Sequence, residues 1–318
     1  MEISAAKFAI PRVIAWEVTR RCPLRCRHCR AGAADVPYEH ELSTAECLKV
    51  LDSLAPLAAK KPERVGPPEM MIIWTGGEPM MRPDILDLVA HATRLGIRSV
   101  MAPCGLLVTP ERLAALKDAG VAACSFSIDG PDAASHDAFR GVPGAFDNVM
   151  RAMRAAREVG MPFQMNTTVS TLNVDRLEEL YALAVAQGAA KFDLFFLVPV
   201  GRGKAIADYA LSPDATRAVL DWAFAKTVAG PLPIKETCCP SAPAYWAEWR
   251  RTHDVPPARP PCGCLGGRGF AFLSHVGDLQ TCGFIDVPCG NVRDFGCDFP
   301  ALVSAAANPL GVAGNCRS

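Results

Sequence analysis

Six short apolar runs, the amphipathic stretches between them and the unusual loops that follow the runs together predict an α/β fold. The class is a partial (β/α)6 TIM-like barrel with a small cysteine-rich C-terminal extension. Strands are expected over 12–19, 69–75, 97–102, 121–128, 162–169 and 191–199, and helices over 43–58, 82–95, 109–119, 144–160 and 175–187. Ser43-Thr-Ala-Glu46 has the form of a capping box, and Thr109-Pro-Glu and Asn173-Val-Asp read as further helix entries. Gly96, Gly120, Gly160 and Gly188 stand where helices should stop. Strand–helix repeats of this kind imply a parallel sheet with right-handed crossovers, either open or curved into a partial barrel. The loops favour the barrel. The cysteine loop, Thr75-Gly-Gly-Glu-Pro79, Ser127-Ile-Asp-Gly130, Asn166-Thr-Thr168 and Leu197-Val-Pro199 all fall at carboxyl ends of strands, the face where such barrels place their chemistry.

Half of the 318 residues are hydrophobic, and 33 basic residues balance 33 acidic ones. That is enough chain for one large α/β unit and an appendage, here divided as 1–230, a proline-broken bridge over 231–261, and 262–318. Neutral charge without a Lys/Arg run argues against a nucleic-acid surface. With no run of about eighteen apolar residues and no signal-peptide pattern, the expectation is a cytoplasmic protein without a membrane partner.

Fourteen cysteines would be unusual as disulfides in a reducing compartment, and eleven of them fall in two groups, 22–29 and 238–316. Two metal centres are therefore expected. Cys22, Cys26 and Cys29 are spaced C-x3-C-x2-C after an apolar strand and can hold three corners of a cubane iron–sulfur cluster. One iron would then be left open to a substrate or cosubstrate. Zinc is the plainer alternative, but it asks for a fourth close ligand, and His28 is poorly placed between two of the cysteines. Gly76 and Gly77 would let backbone approach a ligand closely, and the Glu78 carboxylate beside them could pair with an amino group.

Taken together, Cys22/Cys26/Cys29 and Gly76-Gly77-Glu78-Pro79 in a chain of six α/β repeats resemble the radical S-adenosylmethionine (SAM) enzymes over about residues 12–200. The resemblance implies a 4Fe–4S cluster on the three cysteines, with SAM chelating the open iron. It implies that Gly76, Gly77, Glu78 and Pro79 meet the methionine end of SAM. Ser127, Asp129, Asn166 and Thr168 would serve the ribose and carboxylate, and Val198 or Pro199 the adenine. A reducing donor such as a flavodoxin or ferredoxin follows as a partner.

The end of the chain is similar to the SPASM-type extension of that family, which carries an auxiliary iron–sulfur cluster. Cys264, with Gly277 and Cys282 after it, fits the opening of the pattern, and Cys264, Cys282 and Cys316 are its candidate ligands. The further cysteines of that pattern are missing before the sequence stops two residues past Cys316, which implies a shortened or differently ligated centre. Several segments, among them Ala15-Trp-Glu-Val-Thr-Arg20 and Phe272-Leu-Ser-His-Val-Gly-Asp-Leu-Gln-Thr-Cys-Gly283, resemble the anaerobic heme b synthases of the siroheme-dependent pathway. That branch oxidatively decarboxylates two propionates of iron-coproporphyrin III, so a tetrapyrrole substrate is implied. Cys104-Gly105 departs from it, where relatives have Asn-Gly, and so does Ser241-Ala-Pro.

A substrate carboxylate would want cations, for which Arg140, Arg202, Lys204 and Lys235 are candidates; His275 could ligate a porphyrin iron but reads more simply as a surface residue. Three rivals remain. They are another tetrapyrrole-modifying radical enzyme such as a side-chain deacetylase, a peptide-modifying maturase, and a zinc-binding module. The short stretch before the first strand argues against a peptide-binding region there.

Overall fold

The structure, a computed structural model, describes residues 8–58, 70–256 and 263–308. Cys262 and Cys316 lie outside the described residues. The six expected strands form as β1 (Val13–Glu17), β2 (Met71–Thr75), β3 (Arg98–Met101), β4 (Val121–Ser127), β5 (Phe163–Val169) and β6 (Phe192–Phe196). Three more join them: β7 (Ile234–Thr237), β8 (Phe270–Leu273) and β9 (Leu279–Gln280). They make one sheet in the order β7-β6-β5-β4-β3-β2-β1-β8-β9, parallel throughout except for β9 against β8.

The helices are α1 (Thr44–Ala58), α2 (Ile85–Arg94), α3 (Pro110–Ala119), α4 (Ala133–Arg140), α5 (Ala145–Glu158), α6 (Leu177–Ala186), α7 (Pro213–Ala229), α8 (Ala242–Thr252) and α9 (Phe299–Ala305). The Ser43 capping box closes as expected, with Ser43 N–H donating to Glu46 Oε2 at 2.8 Å and Glu46 N–H to Ser43 Oγ at 3.3 Å. Gly120 ends α3 in the left-handed region at φ 108°, and Gly96, Gly160 and Gly188 share that region. Asn173 is not a cap. Its amide nitrogen donates to the carbonyls of Asp129 and Thr168, both at 2.9 Å, and so staples the ends of β4 and β5 together.

Strand alternation sorts the side chains. Ile14, Trp16, Ile72 and Trp74 are fully buried on one face, with Ile14 opposite Ile72 and Trp16 opposite Trp74. The two indoles stack with centroids 5.6 Å apart. On the other face Ser125, Ser127, Gln164, Asn166 and Thr168 are only half-buried. That polar face lines the interior of the curved sheet.

The described part of the bridge, 231–256, carries β7 and α8 despite its prolines. They sit where proline costs little: Pro231 and Pro233 precede β7, and Pro243 lies in the first turn of α8, where an N–H would be unbonded anyway. Trp246 and Trp249 of α8 pack on Phe224 of α7 with ring centroids 4.9 and 5.7 Å away. The cysteine-rich end also differs from a coreless appendage. Its predicted hairpin forms as β8–β9, and β8 pairs with the otherwise open edge of β1. Phe299, Leu302, Leu279 and Val292 are fully buried in the main core. Arg293 reaches Glu46 of α1 at 2.6 Å. Among the described residues no helix is long and apolar enough to cross a membrane.

Trp74→Ala should lower unfolding free energy by about 3–5 kcal/mol, because it removes a fully buried ring and its stacking partner's support. Denaturant unfolding of the cluster-free chain measures this; a loss within error of zero would contradict the packing described.

Candidate active site

The loop after β1 alternates buried and exposed side chains, with Cys22, Leu24 and Cys26 inside and Arg21, Arg25 and Arg27 outside. Cys22, Leu24, Cys26, Ala33 and Ala145 form one buried apolar cluster, against which Cys29, Ala31, Cys104 and Val142 pack. Burial pushes the Cys22 thiol up to about 12, and the Cys26 thiol rises for the same reason. Thiols held neutral in this way release protons on binding metal. Among the described residues no three His, Cys, Asp or Glu side chains converge closely enough to hold a single ion. Three thiols of one loop, with Cys22 and Cys26 buried in one apolar cluster and Cys29 packed against it, offer the thiolate-only donor set that a cubane takes. The donor set fits the cluster.

His28 is no ligand in this arrangement. It stacks on Phe139 with ring centroids 4.6 Å apart, and burial lowers its pKa to about 4, so it is a neutral packing residue. Arg140 supplies the inward charge instead. Its guanidinium pairs with the buried Asp129 carboxylate at 2.6 Å and donates to Cys26 Sγ at 3.8 Å. Asp129 Oδ1 also accepts from Thr168 N–H at 2.7 Å, so this expected SAM contact is committed to holding Arg140 and β5. Arg202 donates to the carbonyls of Cys26 at 2.9 Å and Ala33 at 2.6 Å. Both arginines are thereby removed from the candidates for a substrate carboxylate.

The loop after β2 docks directly on the cysteine loop. Gly77 N–H donates to Thr19 O and Glu78 N–H to Arg21 O, both at 2.8 Å. A Cβ on Gly76 would lie 2.3 Å from Thr19 O, and one on Gly77 would lie 2.4 Å from the carbonyls of Arg20 and Arg21. Only glycine permits this approach. Glu78 differs from expectation: its carboxylate is fully buried, accepting from Met80 N–H at 2.9 Å and Cys104 N–H at 2.5 Å. It ties the loops after β2 and β3 together and does not present a charge. Pro79 opens the short turn that Glu78 caps. Among the described residues no N–H donates to the carbonyls of Gly76 and Gly77, which have the right polarity for an ammonium group.

Ser127, the last residue of β4, is the register partner of Asn166 in the middle of β5, with Thr168 two residues on, and all three lie on the half-buried polar face. Val198 lies in the loop after β6; its carbonyl accepts from Val200 N–H at 2.9 Å. The turn that follows, 201–209, bonds back to the cysteine loop, Arg202 N–H donating to Cys29 O at 3.0 Å.

Two features escaped the sequence reading. Glu17, inside the β1 run, is fully buried and contacts Arg30 at 2.6 Å, Arg20 at 3.0 Å and His275 Nδ1 at 2.8 Å. Burial raises its pKa, but the adjacent His275 and the arginine charges outweigh it and hold it at about 2. His275 is therefore buried, not a surface histidine, and Arg30 lies over the Phe272 ring at 4.3 Å. A carboxylate inside an apolar strand was the available signal. The second feature is Cys238, after β7 with φ 62°. Burial pushes its thiol up to about 12, with Cys282, Asp193 and Cys264 adding to the rise. Cys282 is raised by burial and by Cys264 in turn. Three thiols from three segments thus lie within electrostatic reach of one another. Nearby, Lys235, half-exposed on β7, pairs with Asp193 at 2.9 Å.

Gly77→Ala should cut iron bound per chain after anaerobic reconstitution while leaving the far-ultraviolet circular dichroism unchanged, since the added methyl collides only with the cysteine loop. Wild-type iron loading would contradict it. A pH effect follows from His136, whose Nδ1 accepts from Asp129 N–H at 3.1 Å and whose burial lowers its pKa from 6.5 to about 4. The unfolded chain protonates there first, so its contribution to stability is complete above pH 6.5 and is lost as pH falls toward 4. His136→Asn, measured by thermal unfolding between pH 7 and 4, should show a shallower acid loss; an unchanged slope would refute this.

The chain matches the Radical SAM superfamily over residues 16–184. It is 44% identical over 293 residues to the AdoMet-dependent heme synthase of Nitratidesulfovibrio vulgaris, covering 89% of this chain and 76% of that protein. A Methanosarcina barkeri protein of the same name is 37% identical over 296 residues, covering 89% and 80%. Among solved structures, Streptococcus suis SuiB bound to S-adenosylmethionine has a TM-score of 0.68 at 16% identity, covering 95% of this chain and 67% of that one. Native anSMEcpe with bound AdoMet has a TM-score of 0.64 at 15% identity, covering 91% and 79%. These two likenesses speak for the fold alone. The protein belongs to the radical SAM superfamily, and it is an enzyme whose radical chemistry uses a 4Fe–4S cluster and S-adenosylmethionine.

Proposed function

We propose that this enzyme converts two propionate side chains of iron-coproporphyrin III to vinyl groups by oxidative decarboxylation, forming heme b. The observation that carries the reading is the 37–44% identity, over 89% of the chain, to proteins named AdoMet-dependent heme synthase. The half-buried polar side chains Ser127, Asn166 and Thr168 on β4 and β5 are compatible with it, since they offer hydrogen-bonding groups for the reactants.

When bound, the cluster and SAM supply a 5′-deoxyadenosyl radical able to take hydrogen from an unactivated carbon. Cys22, Cys26 and Cys29 would hold the cluster, and Arg140 would offset thiolate charge at Cys26. The carbonyls of Gly76 and Gly77 would accept from the SAM amino group. Ser127, Asn166 and Thr168 would serve its ribose and carboxylate, and Val198 its adenine. Of the expected cations, Lys204 and Lys235 are left to orient a propionate, since Arg140 and Arg202 are spent inside the protein.

Each decarboxylation leaves one electron to remove. Cys264 and Cys282, joined by Cys238, would hold an auxiliary iron–sulfur centre that takes it, with Cys316 outside the described residues as a further ligand. Residues 1–230 would thus generate the radical and 262–318 would manage the electron, with Cys238 contributed by the bridge.

Anaerobically reconstituted protein given SAM, a reductant and iron-coproporphyrin III should yield a porphyrin two formic-acid masses lighter. SAM cleavage with unchanged porphyrin would overturn the substrate and leave the class intact. Cys22→Ser should abolish SAM cleavage. Cys282→Ser should retain it, lower the iron per chain, and reduce heme formation by about tenfold or more; full heme formation would remove the auxiliary centre from the reaction.

A further inference from the structure

Asp193 of β6 is fully buried, yet it stands in the middle of a polar row. Its register partners are Asn166 on β5 and Lys235 on β7, and Asn166 is in turn the partner of Ser127 on β4. Register partners project to the same side of a sheet, so Ser127, Asn166, Asp193 and Lys235 share one face. With strands about 4.8 Å apart, the Lys235 backbone stands about 10 Å along the row from that of Asn166.

Hydrogen bonds fix the outer half of this row. Lys235 Nζ donates to Asp193 Oδ2 and to Thr237 Oγ1, both at 2.9 Å, and Thr237 Oγ1 donates to Asp193 Oδ1 at 2.7 Å. Two of the three ammonium hydrogens are thereby committed. The third has no acceptor among the described residues, and the Lys235 side chain is 52% exposed against 1% for Asp193. As a device for stability this arrangement gains little, since it buries a carboxylate to fix a lysine that stays open. What it provides is an ammonium held in one place with one donor left over, which suits the receipt of a carboxylate. Lys204 differs: it is exposed in the turn 201–209 and has no such anchor among the described residues.

We propose that Lys235, positioned by Asp193 and Thr237, receives a propionate that the substrate keeps, and so helps select which side chains react. The proposal rests on the iron-coproporphyrin III reading above. At a reacting side chain the radical removes hydrogen, the bond to the carboxylate carbon breaks, carbon dioxide leaves and one electron passes to an iron–sulfur centre. An ammonium bonded to that carboxylate would stabilise its negative charge in the ground state and oppose the electron's departure. A carboxylate that stays ionised carries no such conflict.

The test uses the reconstituted enzyme without SAM, with iron-coproporphyrin III and its neutral methyl ester as probes and the Soret band as readout. The wild type should prefer the carboxylate form. Lys235→Met should lose about tenfold or more in affinity for it and change little toward the ester, and Lys235→Arg should recover most of the loss. Arg154→Met, at an exposed position on α5, should match the wild type. In turnover with SAM and reductant, Lys235→Met should raise KM while kcat stays within about threefold. Its products should include porphyrins decarboxylated at a side chain that the wild type spares. Wild-type affinity in Lys235→Met, or equal losses toward acid and ester, would overturn the proposal, as would a wild type indifferent to esterification. A fall in kcat as large as the fall in kcat/KM would also overturn it, because Lys235 would then act on the reacting carboxylate. A wild type that binds neither porphyrin would instead overturn the porphyrin substrate, and this assignment with it.

Discussion

The backbone contact between Gly76-Gly77 and the carbonyls of Thr19, Arg20 and Arg21 is the constraint on which the rest of the site depends. Hydrogen bonds from Gly77 to Thr19 and from Glu78 to Arg21 join the loops after β1 and β2 with no side chain between them. The thiols and the carbonyls suited to an amino group are therefore neighbours by construction. Glu78 extends the linkage, because its buried carboxylate holds the loop after β3 at Cys104. Three strand ends are thus tied into one rigid rim, which is what a bound cosubstrate needs for orientation.

Buried charge supplies a second level of organisation. Arg140–Asp129 and the group around Glu17 lie inside the protein as close ion pairs. Pairs of this kind contribute little net stability over an apolar filling, yet losing one partner leaves an uncompensated charge. Their effect is to fix loop positions. Asp129 links β4, β5 and Arg140, and Glu17 links β1 to Arg30 and to the tail through His275. The tail is anchored twice more, by β8 on the edge of β1 and by Arg293 on Glu46. Cys264 and Cys282 flank that hairpin, so their placement follows from the pairing of β8 with β1.

Much of the fold was legible because its signals are local. Apolar runs, glycine stops and the Ser43 capping box each depend on a few adjacent residues, and β1 to β6 form inside the expected ranges. The site motifs were legible for the same reason, since Cys22/Cys26/Cys29 and Gly76-Gly77 are short and contiguous. Side-chain commitments were not. Asp129, Glu78, Arg140 and Arg202 look like ligands for something small, and each is taken up by a partner that arrives from elsewhere in the chain. Prolines over 231–261 suggested irregular structure, but Pro231, Pro233 and Pro243 fall at element ends, where they are compatible with β7 and α8.

By itself the sequence determined the barrel class, the three-thiol loop and the glycine pair, because period, spacing and backbone permissiveness are carried by neighbouring residues. Only the tertiary structure decided which charges remain available. It brought Glu17 to Arg30 and His275, and spent Arg140 on Asp129 and Cys26. The physical reason is that a buried charge or thiol is governed by whatever packs against it, and those partners lie tens to hundreds of residues away along the chain.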